Sequence, residues 1–572
     1  MQRVVQPLTR LSRRILLLIF IAAGLVSGLA AVLFHRWIEL SRRLFLSHAL
    51  ATHGPLRVVL LIAIPCLTAA ALGYVVQRFA PSTLGANLAR VRRSYAEDVS
   101  HLDPRTIAAT FILTPLSLGS GAPLGPEGPT IVVTSGLSVW VAKTLGFPRK
   151  VLRGMVPVGT AAGIAAIFRT PITGVVFALE ELFGTSSRSI LGGTLIAAVA
   201  AAVVQQGLAP HNERILPAAA ASWTHVWELA VFALVGVSAG VVSGSVLRVG
   251  AQLRERFRMR VPSVPLRFGI GGAAVGLIGV FTPSMLGVGY ETTSLLVRGG
   301  GSLLFDAEAF GAKTLGFLIA ASAGLLGGTF APSLFIGASL GALVGHAAKL
   351  VAGASVDSSA FALVGMGAYF AGTLRAPIAA VLIVLELTND YALMIPLMLG
   401  VALSHAISHA IAPLSLEEDQ LEHEGYHHEA HAARDPLARL IVRELMGTGL
   451  RTFSRTTTIA EIVEATRESR HRFYPIVDED RRLLGLLSGD SIARALREER
   501  LASTAGELME LPAVAARGDE PVYELFARMS AASIDRCPVV DDSDRVIGFV
   551  SPADLIRARF RQQEMLDDDT LS

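Results

Sequence analysis

Two pairs of matching stretches decide the fold of this chain. The first pair is VGTAAGIAAIFRTP at residues 158–171 and VGMGAYFAGTLRAP at residues 364–377, related by a constant offset of 206 residues (364 minus 158). The second pair is GPEGP at 125–129 and GTFAP at 328–332, which share Gly-x-x-x-Pro at an offset of 203 residues. The apolar part of the chain is therefore an internal duplication.

Composition places this duplication in a membrane. The chain has 572 residues, of which 52% are hydrophobic and only 17% charged, a balance far more apolar than that of a soluble globular protein. Ionisable residues are sparse in the first part and dense in the last. We predict a membrane domain at 1–412 with halves at about 15–210 and 225–412, a polar His-rich linker at 413–437, and a soluble domain at 438–572.

Charge indicates the orientation in the membrane and excludes some functions. Several arginines, among them Arg13 and Arg14, precede the apolar segment 15–34, which favours a cytoplasmic N-terminus. A cleaved signal peptide is the alternative, but the segment is long and lacks a small-residue cleavage site.

Cys66 and Cys537 are too few for a disulfide framework, and no basic patch with interleaved aromatic residues predicts nucleic-acid binding.

Glycine and proline interrupt the apolar runs at corresponding places in the two halves. This pattern indicates broken helices and a transport site at the interface between the repeats. Small residues that permit close helix packing are the alternative, but they do not explain the repeated prolines, which suit the first turn of a helix. A helix that begins inside the membrane directs unpaired N–H groups at an anion, and such partial charges allow both entry and release.

Glu127 places a carboxylate at one of these predicted helix starts. Such a side chain is an anion on a tether, which occupies the site when ionised and leaves it when protonated. A charge near the bilayer centre costs about 2.5–3.5 kcal/mol on insertion scales, so it is retained chiefly for function. We predict that Glu127 is both gate and proton carrier; a helix-capping or structural glutamate is the alternative.

These motifs resemble the CLC family of chloride channels and chloride/proton exchangers. GPEGP resembles the gating-glutamate motif, GTFAP resembles the anion motif of the second half, and residues 159–181 are similar to the segment that follows the gate. The resemblance implies an all-α polytopic membrane fold with an inverted repeat and broken helices. It also implies a homodimer in membrane lipid, with chloride and protons as the transported ions and a pore in each subunit.

The resemblance assigns individual residues as well. Glu127 corresponds to the external gating glutamate and Glu181 to the internal proton glutamate, which favours an antiporter over a passive chloride channel. Glu180 is adjacent to Glu181, so the alternative that either acid simply caps or pairs at a helix end stays open. Compact loops and the absence of a transit peptide suggest a bacterial inner membrane with both termini cytoplasmic.

The implied anion pathway passes three helix starts and departs from the family at two places. Ala86 stands where the family has a serine, Asn87 follows it, and Ser415 stands where a tyrosine is expected. GSGAP at 119–123 lies directly before the gate and is not the first motif. The anion preference stays open for this reason, with fluoride or nitrate as alternatives to chloride. The pathway residues are Gly85, Ala86, Asn87, Gly125, Gly128, Gly328, Thr329, Phe330, Ala331 and Ser415.

A competing enzyme hypothesis rests on HExxH at His423, Glu424 and His427. A zinc protease needs both histidines on one helix face and a third ligand elsewhere. Here Gly425 interrupts the motif, the segment is polar, and it follows every apolar run. We therefore predict a charged linker, no enzyme activity and no metal site, with intramembrane metalloprotease as the remote alternative.

The tail contains its own repeat at an offset of 63 residues, which brings Gly485 onto Gly548. It resembles a pair of cystathionine-β-synthase-type (CBS) domains, a small α+β regulatory module that often binds adenine nucleotides. In GFVSPAD, Ser551 and Asp554 match the residues that contact ribose, whereas the first repeat has Ser491 in place of the acid. One nucleotide site is therefore expected and no other cofactor; a dimerisation module without ligand is the alternative.

Overall fold

The computed structural model forms two compact units, Met1–Gly425 and Tyr426–Ser572. The structure describes residues 10–84, 87–96, 98–183, 188–208, 223, 225–352, 358–389, 391–423, 441–448, 451–467, 473–511, 515–532, 534, 536–551 and 553–554.

The described part of the first unit is helical throughout. Its α-helices are α1 Arg10–Leu44, α2 Leu46–Ala51, α3 Gly54–Phe79, α4 Asn87–Ala96, α5 Pro104–Gly119, α6 Glu127–Thr144, α7 Arg149–Phe168, α8 Pro171–Ala178, α9 Arg188–Leu208, α10 Glu228–Arg260, α11 Val264–Phe281, α12 Tyr290–Val297, α13 Leu303–Ala323, α14 Phe330–Ala352, α15 Ser358–Leu374, α16 Pro377–Thr388, α17 Met394–Ile411 and α18 Leu416–His423. Short 3₁₀ turns occupy Pro81–Thr83, Val99–His101 and Pro283–Met285, and a π-helical turn occupies Leu179–Phe183. Within the described residues, eight helices are long and apolar enough to cross a membrane.

The helix breaks fall at matching positions in the two halves, as the duplication predicts. Helix α7 is followed by Arg169 with φ 57° and α15 by Arg375 with φ 63°, both in the left-handed conformation. Pro171 and Pro377 then begin the next helices at a position where the missing N–H leaves no hydrogen bond unmade. The local sequence therefore ends one helix and begins the next in the same way in each half.

Corresponding elements of the two halves meet at a pseudo-two-fold axis. Helix α3 packs on α11, and α8 packs on α16. At the centre, Gly125 N donates to Gly328 O at 2.8 Å and Gly328 N donates to Gly125 O at 2.6 Å, which forms an antiparallel bridge between the two Gly-x-x-x-Pro motifs. The first turns of α6 and α14 consequently face each other.

A reciprocal pair of carboxylates also links the halves. Glu180 accepts hydrogen bonds from Ile378 N and Ala379 N at 2.9 and 2.8 Å, at the start of α16. Glu386, its partner at an offset of 206 residues, accepts from Ile172 N at 3.0 Å and from Thr173 N at 2.6 Å, at the start of α8. Each acid thus caps the helix of the opposite half, where the helix dipole favours a negative charge.

Small residues let the helices around this axis approach closely. Helices α14 and α15 cross where Gly337 faces Gly365, and a Cβ on either glycine would lie 2.4 Å from the carbonyl oxygen of the other. No side chain fits in that space, so the crossing requires glycine on both helices. Two large clusters of buried hydrophobic residues form the core of this unit, and one of them includes Phe330, the first residue of α14.

The second unit contains two similar three-stranded sheets. Their strands are β1 Phe453–Ser454, β2 Phe473–Val477, β3 Leu483–Ser488, β4 Ala516–Arg517, β5 Cys537–Val540 and β6 Val546–Val550, and the helices are Val442–Leu445, Ile459–Thr466, Gly489–Arg497, Ala505–Leu508 and Val522–Ala531. In each sheet the first strand is parallel to the second, and the second is antiparallel to the third. The repeats exchange their leading segments, because Val442 packs in the core of the second sheet and Ala505 in the core of the first.

Candidate functional site

The Glu127 side chain lies between the two facing helix starts. Glu127 is the first residue of α6 and is completely buried. Its Oε2 accepts a hydrogen bond from Ala331 N, in the first turn of α14, at 3.3 Å. A carboxylate from one repeat therefore occupies the N-terminal end of a helix in the other repeat, where unpaired N–H groups and the helix dipole attract an anion.

Two residues that the sequence did not single out complete the surroundings of Glu127. Tyr290, the first residue of α12, donates its hydroxyl to Glu127 Oε1 at 2.5 Å. Lys313, fully buried on α13, donates through Nζ to Gly287 O at 2.7 Å and Val288 O at 3.2 Å, and so fixes the turn that presents Tyr290. Lys313 also interacts electrostatically with Glu127.

A further repeat in the sequence is the signal that leads to Tyr290. PSTLG at 81–85 matches PSMLG at 283–287 at an offset of 202 residues (283 minus 81), and the second copy continues directly into Tyr290. Nothing in the sequence alone indicates that its hydroxyl reaches Glu127, since 163 residues separate the two.

Gly125 leaves the space that the Glu127 carboxylate occupies, which yields a testable consequence. A Cβ at Gly125 would lie 2.2 Å from Glu127 Oε2 and 2.9 Å from Ala331 N. We expect Gly125→Ala to displace the carboxylate from the start of α14, to lower the melting temperature of the purified protein and to change anion flux in liposomes. The matched control is Gly311→Ala in α13, where a Cβ meets nothing within 4 Å. Equal behaviour of the two variants would contradict this placement of Glu127.

Glu181 lies in a separate buried cluster of charges. Its side chain is 1% exposed and forms an ion pair with Arg92 Nη2, on α4. Arg92 Nη1 also binds Glu418 Oε1 at 2.9 Å, so a single guanidinium bridges two carboxylates. Arg92 and Glu418 are the residues of this cluster that sequence reasoning missed, because α4 and α18 lie far from Glu181 along the chain.

The structure distinguishes the two adjacent acids whose roles the sequence left open. Glu180 makes the capping bonds to the start of α16, whereas Glu181 forms its ion pair with Arg92 on α4. The π-helical turn Leu179–Phe183 contains both acids. Glu180 therefore caps a helix of the opposite half, and Glu181 belongs to the buried charge cluster around Arg92.

A cavity of about 630 Å³ opens beside the facing helix starts. Gly128, Gly328, Thr329 and Phe330 line one side of it, and the guanidinium of Arg254 lies among the other lining groups. The Phe330 ring packs against two further aromatic rings, with centroid distances of 4.9 and 5.0 Å, so the start of α14 is rigidly held. The cavity therefore reaches the N-terminal end of this helix.

The predicted pathway residues of the second and third helix starts thus come together in space. Gly125 and Gly328 form the bridge, while Gly128, Thr329, Phe330 and Ala331 lie in or beside the two facing first turns. At the first predicted helix start, Gly85 and Ala86 lie outside the described residues, and Asn87 begins α4.

Comparison with known proteins identifies the family. Residues 66–409, more than half of the chain, match the model of the voltage gated chloride channel family. The chain belongs to this CLC family. Two further segments, 442–498 and 505–561, match the CBS domain, so the tail of this CLC protein carries two CBS domains.

Relatives and solved structures agree with this assignment. A putative chloride channel protein, ClcB-like, from Ralstonia nicotianae is 31% identical over 292 residues, which cover 50% of this chain and 67% of the relative. The voltage-gated ClC-type chloride channel ClcB of Escherichia coli is 30% identical over 298 residues, 52% of this chain and 70% of the relative. The described helices and the family together make this CLC protein an integral multi-pass membrane protein.

The fold is that of known CLC structures. A slow cyanobacterial Cl⁻/H⁺ antiporter superposes with a TM-score of 0.65 at 22% identity, covering 73% of this chain and 99% of the other. A eukaryotic CLC transporter superposes with a TM-score of 0.64 at 17% identity, covering 94% of this chain and 97% of the other. The predicted all-α membrane fold followed by a small α+β module is confirmed.

Ser415, predicted as a pathway residue, caps a helix in this CLC protein. It precedes α18, and its Oγ accepts a hydrogen bond from Glu418 N at 3.2 Å while Glu418 Oε2 accepts from Ser415 N at 2.8 Å. This reciprocal arrangement is a capping box at the start of α18. The segment Leu416–His423, which we assigned to the linker, thereby packs within the first unit, where Thr329 also contacts it.

The predicted nucleotide residues lie together in the second CBS domain. Ser551 donates through N and Oγ to Asp554 Oδ2 at 2.9 and 2.6 Å. In the first CBS domain the corresponding pair is Ser488 and Ser491, whose hydroxyl oxygens are 2.8 Å apart. The carboxylate that distinguishes the two repeats in sequence is therefore also the difference between them in structure.

The HExxH segment contributes no metal centre to the part of the chain that the structure describes. His423 ends α18, while Glu424 and His427 lie outside the described residues. Within the residues described, no group of three or more His, Cys, Asp or Glu side chains could hold a metal ion.

Proposed function

We propose that this CLC protein exchanges chloride for protons across the membrane, with Glu127 as the gate and Glu181 as the internal proton carrier. The observation that carries the proposal is the position of the Glu127 carboxylate. It is buried, and it reaches from the first repeat to the first turn of α14 in the second. The proposal follows from the chemistry of that position.

Competition between the carboxylate and the anion supports proton coupling. An ionised Glu127 takes the N–H groups at the start of α14 that an anion would use, so both cannot bind there at once. Protonation removes the charge and with it the attraction to the helix start, which frees those N–H groups for chloride. Each change of occupant thus accompanies a change in proton number.

Glu181 is proposed as the second station for the proton because no single acid extends through the whole unit. Its burial supports a functional role, since ionisable groups in membrane segments are retained chiefly where they act. Arg92 stabilises the ionised form of Glu181, and Glu418 shares that arginine. The proton would therefore be taken up by a cluster of two carboxylates and one guanidinium.

A passive chloride channel is the second candidate, and a particular observation favours it. The ion pair with Arg92 favours the charged form of Glu181, and Ser415 Oγ accepts the hydrogen bond that caps α18. Ala86 also stands in place of a serine and Ser415 in place of a tyrosine. A pathway that lacks the serine and tyrosine hydroxyls holds its anion more weakly, which would loosen coupling to protons. Fluoride and nitrate are further candidate anions for the same reason.

Flux measurements separate the antiporter from the channel. Purified protein in liposomes is given a chloride gradient, and external chloride and pH are recorded together for the parent, Glu181→Gln and Glu180→Gln. We expect uphill proton movement in the parent, its loss in Glu181→Gln with chloride flux retained, and its persistence in the capping control Glu180→Gln. Chloride movement without any pH response in the parent would establish the channel instead. Repeating the assay with fluoride and nitrate ranks the anions.

We also propose a homodimer in a bacterial inner membrane with both termini cytoplasmic, as the family resemblance implies. Cross-linking in native membranes tests the dimer, and protease accessibility of the tail in inverted vesicles tests its orientation. A monomer, or a tail protected in inverted vesicles, would contradict this arrangement.

For the CBS pair we propose one adenine nucleotide site at Ser551 and Asp554, with regulation of transport as its purpose. Calorimetric titration of the full chain with ATP is expected to show one site per chain. Binding should be lost in Asp554→Asn and retained in Asp490→Asn, the control in the first CBS domain. Absence of heat with ATP, ADP and AMP would favour a dimerisation module without ligand.

A further inference from the structure

A second buried carboxylate, unused so far, contacts the same helix start as Glu127. Glu417 on α18 is 7% exposed, and Thr329 Oγ1 donates to its Oε1 at 2.8 Å. Thr329 lies immediately before α14, and Glu417 and Thr329 both line the cavity of about 630 Å³. The start of α14 therefore meets a carboxylate from α6 and another from α18.

We propose that Glu417 is a second gate, at the cavity end of the anion pathway, where its ionised side chain excludes the anion and its neutral form admits it. The inference rests on the proposed anion pathway past α14. It assigns to α18 a role in permeation that neither the repeat motifs nor the resemblance indicates.

The local structure explains why a glutamate takes this place. Ser415, the residue expected on the pathway, accepts a hydrogen bond from Glu418 N through its Oγ and so caps α18. Two residues further along this first turn, Glu417 becomes the polar side chain that reaches Thr329. The cap at Ser415 thus starts the helix turn that brings the Glu417 carboxylate to Thr329.

Charges around Glu417 make its ionisation sensitive to an arriving anion. Arg92 on α4 and Glu181 in the π-helical turn interact with it electrostatically, as does Arg254 on α10. On α18 itself, Glu418 binds Arg92 at 2.9 Å and Asp419 lies 3.9 Å from Arg254. Glu255, Arg258 and Arg267 also line the cavity, so five carboxylates stand against four guanidinium groups. A chloride in the cavity adds further negative charge unless a carboxylate takes up a proton.

Chloride binding to the purified full chain tests the gate directly. Isothermal titration with chloride is carried out on the parent, on Glu417→Gln and on Glu422→Gln, a control that removes a carboxylate from the same helix. We expect Glu417→Gln to bind chloride at least about tenfold more tightly than the other two, because a unit charge within a few ångströms of the anion is removed. Chloride flux in liposomes should rise in the same variant. Equal affinities in all three proteins would overturn the gate.

A second measurement covers the case in which Glu417→Gln does not fold. Chloride affinity is then measured in Glu127→Gln/Glu181→Gln, where the two other proposed proton carriers are already neutral, from about pH 8 down to the ordinary range of a glutamate near pH 4.3. Affinity that rises as the pH falls supports Glu417, because protonation neutralises it; affinity independent of pH overturns the proposal. If the parent transports chloride but Glu417→Gln equals it, only the gate fails, whereas a parent without chloride transport contradicts the proposed function as well.

Discussion

Replacing Glu127 by glutamine is expected to abolish proton movement driven by a chloride gradient while chloride continues to flow. Glutamine has nearly the same shape, and its side-chain oxygen can still accept from Tyr290 and Ala331, which bind the carboxylate at 2.5 and 3.3 Å. It can neither carry a proton nor compete as an anion for the start of α14. We expect the proton flux to fall by roughly 100-fold or more, the scale of removing a positioned proton-transfer group.

The chain provides a closely matched control for this experiment. Glu228 is also the first residue of a helix, α10, and is also buried, at 2% exposure. It accepts a hydrogen bond from His225 N at 2.9 Å, in the segment that leads into its own helix. Glu228→Gln should therefore retain coupled flux. Loss of proton movement in both variants would mean that any buried acid matters for folding, and proton movement retained in Glu127→Gln would remove Glu127 from the mechanism.

The largest effect on stability is expected from Arg92→Met. Arg92 bridges Glu181 and Glu418, whose side chains are 1% and 12% exposed, so its loss removes the positive charge that both carboxylates share. Breaking a buried ion pair in this way costs about 3–5 kcal/mol, because the remaining charge stays buried and unpaired. Methionine keeps most of the volume, which limits the contribution of a cavity. Thermal melting of the detergent-purified protein measures the loss.

Arg43→Met is the appropriate comparison for that experiment. Arg43 pairs with Glu39 at 3.1 Å, but its side chain is 72% exposed, and exposed pairs contribute about 0–1 kcal/mol. We expect little change in its melting temperature. Adding Glu181→Gln to Arg92→Met should restore part of the lost stability, because one uncompensated charge is removed. A similarly small decrease in melting temperature for Arg92→Met and Arg43→Met would show that the Arg92 cluster is hydrated and contributes little to the stability of the protein.

The sequence predicted the features of this protein that depend on local or repeated patterns. Glycine and proline at corresponding positions stop and restart helices through backbone geometry, so the breaks before Pro171 and Pro377 appear in both halves as expected. The carboxylate of Glu127 at a helix start follows from its neighbours in GPEGP. The change from apolar segments to a charged tail also indicated where the membrane domain ends and the CBS domains follow.

What the sequence could not predict depends on contacts between distant residues. Tyr290, Lys313 and Arg92 belong to the site only because packing brings their helices beside Glu127 and Glu181. Glu180 and Glu181 make different contacts because their side chains point in different directions from the same helical turn. The identity of two adjacent glutamates in the sequence does not indicate those directions. The cap at Ser415 likewise depends on α18 packing with the membrane unit.

The bridge between Gly125 and Gly328 and the exchanged caps of Glu180 and Glu386 have the form of an isologous interface, in which each partner gives the other the same contact that it receives. Two identical half-chains could associate through such contacts, but they would then carry the same residue at both facing helix starts. The covalent fusion of the halves removes that constraint. Only in the fused chain can one helix begin with Glu127 and its counterpart with Phe330, so that one of two symmetrical ends holds a titratable charge and the other none. The joining of the halves is thus what allows a symmetrical framework to hold a single titratable group between its two facing helix starts.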